Sequence, residues 1–330
     1  KYFSISTLPL ANKIVLVRVD YNVPFKGGKG LDNIRIKASL PTIKYLLQQQ
    51  CKIILATHLG RPEGKFVPEL KVNPLAEELQ RLLPNEKITK LDDCIGKEIK
   101  ERIMAGKRGE IFLLENLRFY AEEEADDQVF AHSLASLAEI YVNDAFANCH
   151  RAHASVHAIT HFLPSAAGFL LEKELTYLSK ALNPERPAIW ILGGGKLDKV
   201  DLLLQALNKA DYILLGGALP FPFLKAKGIG VGMSKIDLKS VETARKIMTN
   251  KEAKKIILPL DFVTADSFSA KAKTKIVPYN QIPKDEIALD LGPQTIELFK
   301  RYLRKAETIV WNGPLGYYEW AAFSVATKEI

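Results

Sequence analysis

Short runs of β-branched and other apolar residues alternate along this chain with longer stretches whose apolar positions recur every three or four residues. The first kind of run falls at 14–19, 52–57, 110–114, 140–143, 188–192, 212–215, 255–260 and 308–311 and predicts strands. The second falls at 35–50, 74–83, 96–105, 128–138, 200–209, 239–249 and 295–305 and predicts amphipathic helices. Strands that alternate with helices in this way build parallel sheets covered by helices on both faces. Helical spacing also runs from Ala167 to Leu182, where Asn183-Pro184-Glu185-Arg186-Pro187 stops it. A chain of 330 residues is long for one core. It is therefore read as an N-terminal α/β domain over 1–166, a connecting helix over 167–182 and a second α/β domain over 183–330. Ligands held by the two domains would meet across a cleft, with the helix as hinge.

Polar residues gather where the strands stop. The run Val17-Arg18-Val19-Asp20-Tyr21-Asn22-Val23-Pro24 delivers an acid and an amide to a strand tip, the place where open α/β sheets bind ligands. A turn in which Asp20 and Asn22 only satisfy their own backbone explains one such tip. It does not explain the repeats of the design: Arg35 just past Asp32-Asn33, then His58 and Arg61, then Asn116 and Arg118, then His150 and Arg151. Four arginines at equivalent positions of one sheet make a basic wall, and the planar guanidinium suits phosphate and carboxylate. In the second half a strand runs into Gly193-Gly194-Gly195-Lys196-Leu197-Asp198-Lys199 and then a helix, an arrangement that holds phosphates. It matches neither GxxxxGK[ST] nor GxGxxG. Gly216-Gly217, Leu289-Asp290-Leu291-Gly292-Pro293 and Trp311-Asn312-Gly313-Pro314-Leu315-Gly316 are further strand-tip turns that allow close backbone approach.

Composition narrows the partners. The net charge of +8 is spread over helices, with no basic tail or basic-aromatic stripe, so nucleic acid is not the expected ligand. Cys51, Cys94 and Cys149 form no paired or CxxC framework and read as reduced packing thiols. Cys149 beside His150 is not read as a nucleophile pair, because sequence neighbours rarely share a side-chain direction. No run approaches eighteen apolar residues and the start lacks a signal pattern, so a soluble cytoplasmic protein without membrane partners is expected.

Taken in order, the segments 17–24, 57–62, 113–119, 143–155, 191–199, 258–266, 289–293 and 310–319 resemble the phosphoglycerate kinase family over essentially the whole chain. The resemblance implies two doubly wound, Rossmann-like domains, with 3-phosphoglycerate on the first and Mg-nucleotide on the second. It implies that Asp20, Asn22, Arg35, His58, Arg61, Arg118, His150 and Arg151 form the phosphoglycerate site. It places the nucleotide at Gly194, Gly195, Lys196, Lys199, Gly216, Gly217, Gly292, Asn312, Pro314 and Glu319, with Glu319 on the ribose. The reaction implied is reversible phosphoryl transfer between 1,3-bisphosphoglycerate and ADP, giving 3-phosphoglycerate and ATP. Its reverse acceptor is a carboxylate, ionised at neutral pH, so no general base is required. Arg35, Lys196 and Lys199 would stabilise the moving charge. Mg2+ enters with ADP or ATP, no set of side chains is expected to hold a resident metal, and a monomer is expected.

Three departures qualify the resemblance. The family's loop usually reads Gly-Gly-Ala-Lys-Val-x-x-Lys, and here the two lysines stand one residue closer. Ala218-Leu219-Pro220-Phe221-Pro222 replaces a Met-Ala-x-Thr segment. The sequence also stops at Ile330, before the family's Gly-Gly-Gly-Asp-Ser/Thr loop, which points to part of a longer protein. If the gene ended there, a catalytically silent phosphate- and nucleotide-binding protein would be the alternative. A nicotinamide-dependent dehydrogenase would need GxGxxG with a distant acid, which neither half shows.

Overall fold

The computed structural model describes residues 2–23, 33–197 and 200–330. It divides into two compact units, Lys1–Thr176 and Tyr177–Ile330.

The first unit is built on strands β1 (Ile14–Val19), β2 (Lys52–Ala56), β3 (Ile88–Lys90), β4 (Ile111–Leu113), β5 (Ile140–Asp144) and β6 (Ser165–Ala167). They form one parallel sheet in the order β3-β4-β2-β1-β5-β6. The period of two along β1 sorts its side chains into two separate cores. Val15, Val17 and Val19 pack on one face with Ile53 and Leu55. Leu16 packs on the other with Ile54, Ala56, Phe112 and Tyr141. Both faces are covered, which is why these strands read as near-continuous apolar runs. Helices α1 (Ile34–Gln48), α2 (Asn73–Leu82), α3 (Lys97–Ala105), α4 (Ala121–Glu124) and α5 (Gln128–Ala135) supply the cover. Asp127 starts α5 by accepting from the Phe130 amide at 2.8 Å. Helix α6 (Phe169–Leu182) carries the boundary between the units within its length.

The second unit departs from the expectation of parallel sheet alone. Strands β7 (Ala188–Leu192), β8 (Tyr212–Leu215), β9 (Ile256–Ile257) and β13 (Thr308–Asn312) do form a parallel sheet, in the order β13-β7-β8-β9. Between β9 and β13, however, β10 (Asp261–Ala265), β11 (Thr274–Pro278) and β12 (Ile287–Leu291) form a separate antiparallel sheet, β11-β10-β12. The expected strand over 255–260 shrinks to β9 because Pro259 has no amide hydrogen to continue a ladder. The turn expected at 289–293 is strand as far as Leu291, and only Gly292 leads into the next helix. Helices α7 (Val200–Leu207), α9 (Leu238–Met248) and α10 (Pro293–Leu303) lie where periodicity puts them. Helix α8 (Pro220–Ala226) was not expected, yet prolines in a first turn remove only amides that have no helical partner. The short α11 (Val325–Glu329) closes the unit. Among the described residues no helix is long and apolar enough to cross a membrane.

Phe112 is fully buried and Leu238 is 85% exposed, so the same truncation should separate them. Phe112→Ala should lower stability by about 3–5 kcal/mol through lost contact and a cavity. Leu238→Ala should stay within about 0.5 kcal/mol of wild type. Denaturant melts of both variants check this, and equal midpoints would contradict the assigned core.

Candidate active site

Arg18 is the fifth of the six positions of an otherwise apolar strand and falls on the Leu16 face of β1, where it is fully buried. A buried guanidinium is tolerated only when its donors are taken up. Its Nε donates to Ser155 Oγ at 2.8 Å and its Nη1 to the Val19 carbonyl at 2.6 Å. Its Nη2 lies 3.1 Å from His58 Nδ1 and 3.9 Å from the Glu123 carboxylate. Glu123, also fully buried, accepts from the Ser155 hydroxyl at 2.5 Å and the Ser155 amide at 2.9 Å. Arginine has only donors, so His58 Nδ1 is the acceptor and the ring proton sits on Nε2. Burial, followed by the charges of Arg18, Arg118, Arg151 and His153, pushes His58 down to about 2. At neutral pH it is a neutral ring that offers one N–H.

The neighbouring strand tips are tied to each other through amides and carbonyls. Asn22 Oδ1 accepts from the Gly60 amide at 2.9 Å, and Thr57 Oγ1 from the Tyr21 amide at 3.1 Å. Asn116 Oδ1 accepts from the Leu59 and Arg118 amides, and its Nδ2 donates to the Leu59 and Leu70 carbonyls. Arg118 is buried, donates through Nη1 to the Gly60 carbonyl at 3.0 Å and pairs with Glu124, while Nη2 makes no hydrogen bond. A buried guanidinium donor without a partner is a ready place for an anion.

Asp20 is salt-bridged to Arg35 and caps the Asn22 amide. Arg151 donates to His150 Nε2 at 3.2 Å on the surface. Arg61 is exposed and has no ion pair among the described residues. The structure thus gathers Asp20, Asn22, His58, Arg118 and Arg151 into one basic neighbourhood, with Arg35 held by Asp20. Sequence reasoning passed over Arg18, Glu123, Ser155 and His153. The available signal was an arginine alternating inward within an apolar strand.

In the second unit the carboxyl ends of β7, β8 and β13 interlock. The Gly193 amide donates to the Asn312 carbonyl at 2.9 Å, Gly194 to Pro314 at 2.7 Å, and Gly217 to Leu315 at 2.8 Å. A Cβ on Gly193 would stand 2.2 Å from the Pro314 carbonyl oxygen. Gly217 has φ +58°, and a Cβ there would meet the Gly194 backbone at 2.5 Å. Only glycine fits either position.

These turns open on a cavity of about 390 Å³. Gly194, Gly195, Gly217, Pro314 and Gly316 line one part of it, and Phe221, Ile287, Ala288, Leu289, Phe268, Tyr317 and Tyr318 give it apolar and aromatic walls. Among the described residues Lys235 and Glu319 are its charged lining residues, and Tyr317 Oη donates to Glu319 at 3.3 Å. Beneath the Gly316 turn, Asp290 is buried, accepts from the Leu291 and Ala326 amides, and is raised to about 6 by that burial.

Of the expected nucleotide residues, Gly194, Gly195, Gly217, Pro314 and Glu319 line this cavity, whereas Lys196, Gly216, Gly292 and Asn312 do not. Gly216 packs under Leu315. Gly292 leaves room for the Asp261 carboxylate, which caps α10 through the Gln294 and Thr295 amides. Lys196 is exposed on the turn, and Lys199 lies outside the described residues. Sequence reasoning missed Lys235, Phe268 and the antiparallel wall.

One unit with a basic wall and another with a glycine-edged, aromatic-walled cavity define a two-domain phosphotransferase that uses a nucleotide. The family model for phosphoglycerate kinase matches residues 5–330. The chain is 46% identical to phosphoglycerate kinase of Moorella thermoacetica over 99% of its own length and 84% of that protein. It is 47% identical to the Dictyoglomus turgidum enzyme over 97% and 82%. The solved phosphoglycerate kinase of Coxiella burnetii superposes with a TM-score of 0.86 at 36% identity, covering 100% of this chain and 84% of that one. The chain belongs to the phosphoglycerate kinase family.

His58 supplies a pH test. Its folded value lies below the ordinary histidine value, so its contribution is fully present above about pH 6.5. As pH falls from there toward 2, the unfolded chain takes up a proton that the folded chain refuses, and stability is lost by at most about 1.4 kcal/mol per pH unit. His58→Gln should flatten the fall in unfolding free energy between pH 6 and pH 5 relative to wild type. An unchanged slope in urea melts would show that His58 is not held neutral.

Proposed function

We propose that the chain transfers a phosphoryl group reversibly between 1,3-bisphosphoglycerate and ADP, with the three-carbon acid on the first unit and the nucleotide on the second. The observation that carries this reading is the pairing of two unlike sites in one chain of this family. The Arg118 guanidinium has an open buried donor and His58 a neutral N–H, both suited to an anionic acid. The glycine turn and aromatic walls of the second cavity suit a nucleoside phosphate.

The acceptor carboxylate needs no base, so the chain's contribution is orientation and charge. Arg35, steered by Asp20, and Lys196 with Lys199 are assigned to the charge that develops on the moving phosphoryl group. Among the described residues no grouping of three side-chain ligands would hold a metal, and Glu319 is the one carboxylate at the cavity. Magnesium can be held with few protein ligands when phosphate oxygens fill its shell, so we assign it to the nucleotide substrate. A cytoplasmic monomer fits this reading.

Two sets of measurements test it. Arg35→Ala should reduce turnover by roughly a hundred- to a thousandfold, the cost of losing one oriented donor to developing charge. Arg35→Lys should not restore it, because a point charge lacks the planar fork. Turnover within a few-fold of wild type in a coupled assay would remove Arg35 from the mechanism. By calorimetry, Arg118→Ala should weaken 3-phosphoglycerate and spare ADP, while Gly217→Val should do the reverse. Equal losses of both ligands in either variant would contradict the assignment of one ligand to each unit.

A further inference from the structure

Three side chains that neither ligand site uses stand together on the surface of the first unit. Asp126, in the turn between α4 and α5, accepts through Oδ2 from His157 Nδ1 at 2.6 Å. Its Oδ1 accepts from the Ala158 amide at 3.1 Å, at the start of a short 3-10 turn over Ala158–His161. Asp126 holds a left-handed backbone, φ +55°, which Asp and Asn tolerate better than most side chains. His161 ends the turn, and its ring centre lies 5.1 Å from that of His157. The root of His161 is fixed by its neighbour: the Phe162 amide donates to the Ile159 carbonyl at 3.1 Å, and the Phe162 ring packs edge-on against His132 of α5 at 5.2 Å. Both His157 and His161 are exposed, and His161 has no hydrogen bond or ion pair among the described residues.

An ionised carboxylate only accepts, so the proton between Asp126 and His157 belongs to Nδ1. In the neutral ring Nε2 then keeps its lone pair. A carboxylate behind Nδ1 is the support that metal-ligating histidines use: it fixes tautomer and orientation and makes the opposite nitrogen a better donor. The spacing of the two rings agrees with that use. Two imidazoles bound at about 2.0 Å to one tetrahedral ion have ring centres roughly 5 Å apart. A surface ion pair accounts for Asp126 and His157, but it gives no reason for a second imidazole at this separation. Imidazole nitrogens suit zinc, nickel and copper, whereas magnesium takes oxygen ligands.

We propose that His157 and His161, with Asp126 behind His157, form a surface site for a divalent ion of the zinc class. The site takes no part in phosphoryl transfer. Among the described residues no group of three side-chain ligands holds a metal, so water completes the shell. Half the ligand set of a structural zinc site supplies about half its binding free energy, which gives a Kd of roughly 1–100 µM.

Calorimetric titration of zinc chloride alone into wild type, His157→Gln, His161→Gln and Asp126→Asn tests it. Glutamine keeps a polar surface side chain and removes the imidazole, and asparagine accepts the left-handed backbone. Wild type should bind one zinc ion in the micromolar range. Each histidine variant should bind at least about tenfold more weakly, and Asp126→Asn about tenfold more weakly, the loss that follows removal of an outer support. Turnover should be unchanged in all three, and magnesium at about 1 mM should not displace the zinc. Absence of binding by wild type up to about 1 mM zinc would overturn the inference. So would wild-type affinity in either histidine variant, which would place the ion elsewhere, or displacement by magnesium, which would rule out imidazole ligands. An unchanged Kd in Asp126→Asn would overturn the part given to the carboxylate.

Discussion

A guanidinium in an apolar interior must hand its donors to fixed partners, and Arg18 imposes that demand on the first unit. Its partners come from four separate places in the chain: the Val19 carbonyl, His58 after β2, Glu123 in α4 and Ser155 beyond β5. Removing any one would leave a buried charge or hydroxyl uncompensated, which is far more costly than the pair itself is stabilising. The network thus ties the tips of β1, β2 and β5 to one another before any ligand arrives. Protonation follows from the same setting, because burial first, and then the positive charges that seek an anion, keep His58 neutral. Preorganised donors of this kind cost little reorganisation when a phosphate or carboxylate binds.

In the second unit the ties between strand tips are made by the backbone. Its strand tips lock by backbone hydrogen bonds between glycine-bearing turns, at positions where a single methyl group would meet a carbonyl oxygen. Buried carboxylates then serve as internal caps: Asp261 holds the start of α10, and Asp290 accepts from the Ala326 amide of α11. The glycines are consequently of two sorts. Gly194, Gly195 and Gly217 face the cavity, while Gly292 makes space for a carboxylate of the protein itself.

Much of this was legible along the chain because the apolar pattern reports burial directly. Strands β1, β2, β4 and β5 and the helices α2, α7 and α10 stand within a few residues of where periodicity puts them, whereas the three-residue edge strands β3 and β6 were not expected. The antiparallel sheet was not legible, since β11 buries only Val277 and so lacks a strong alternating face. Helix α8 was hidden by Pro220 and Pro222, whose cost depends on position within a helix and not on presence alone. At the site, polar residues at strand tips announced themselves, as at Asp20, His58 and Arg118. Arg18 did not, because its function lies in the three-dimensional meeting of Ser155, Glu123 and His58. Lys235 and Phe268 were equally out of reach, as only the folded antiparallel sheet brings them to the cavity.

The central claim is that the two units hold different ligands at separately prepared strand tips. Amide hydrogen exchange, followed by mass spectrometry with 3-phosphoglycerate alone and with Mg-ADP alone, tests it directly. 3-Phosphoglycerate should slow exchange over 18–23, 57–61 and 116–118 and leave 193–197 and 313–319 unchanged. Mg-ADP should slow exchange over 193–197, 216–219 and 313–319 and leave the first set unchanged. Protection of the glycine turns by 3-phosphoglycerate, or of the basic wall by Mg-ADP, would contradict the account.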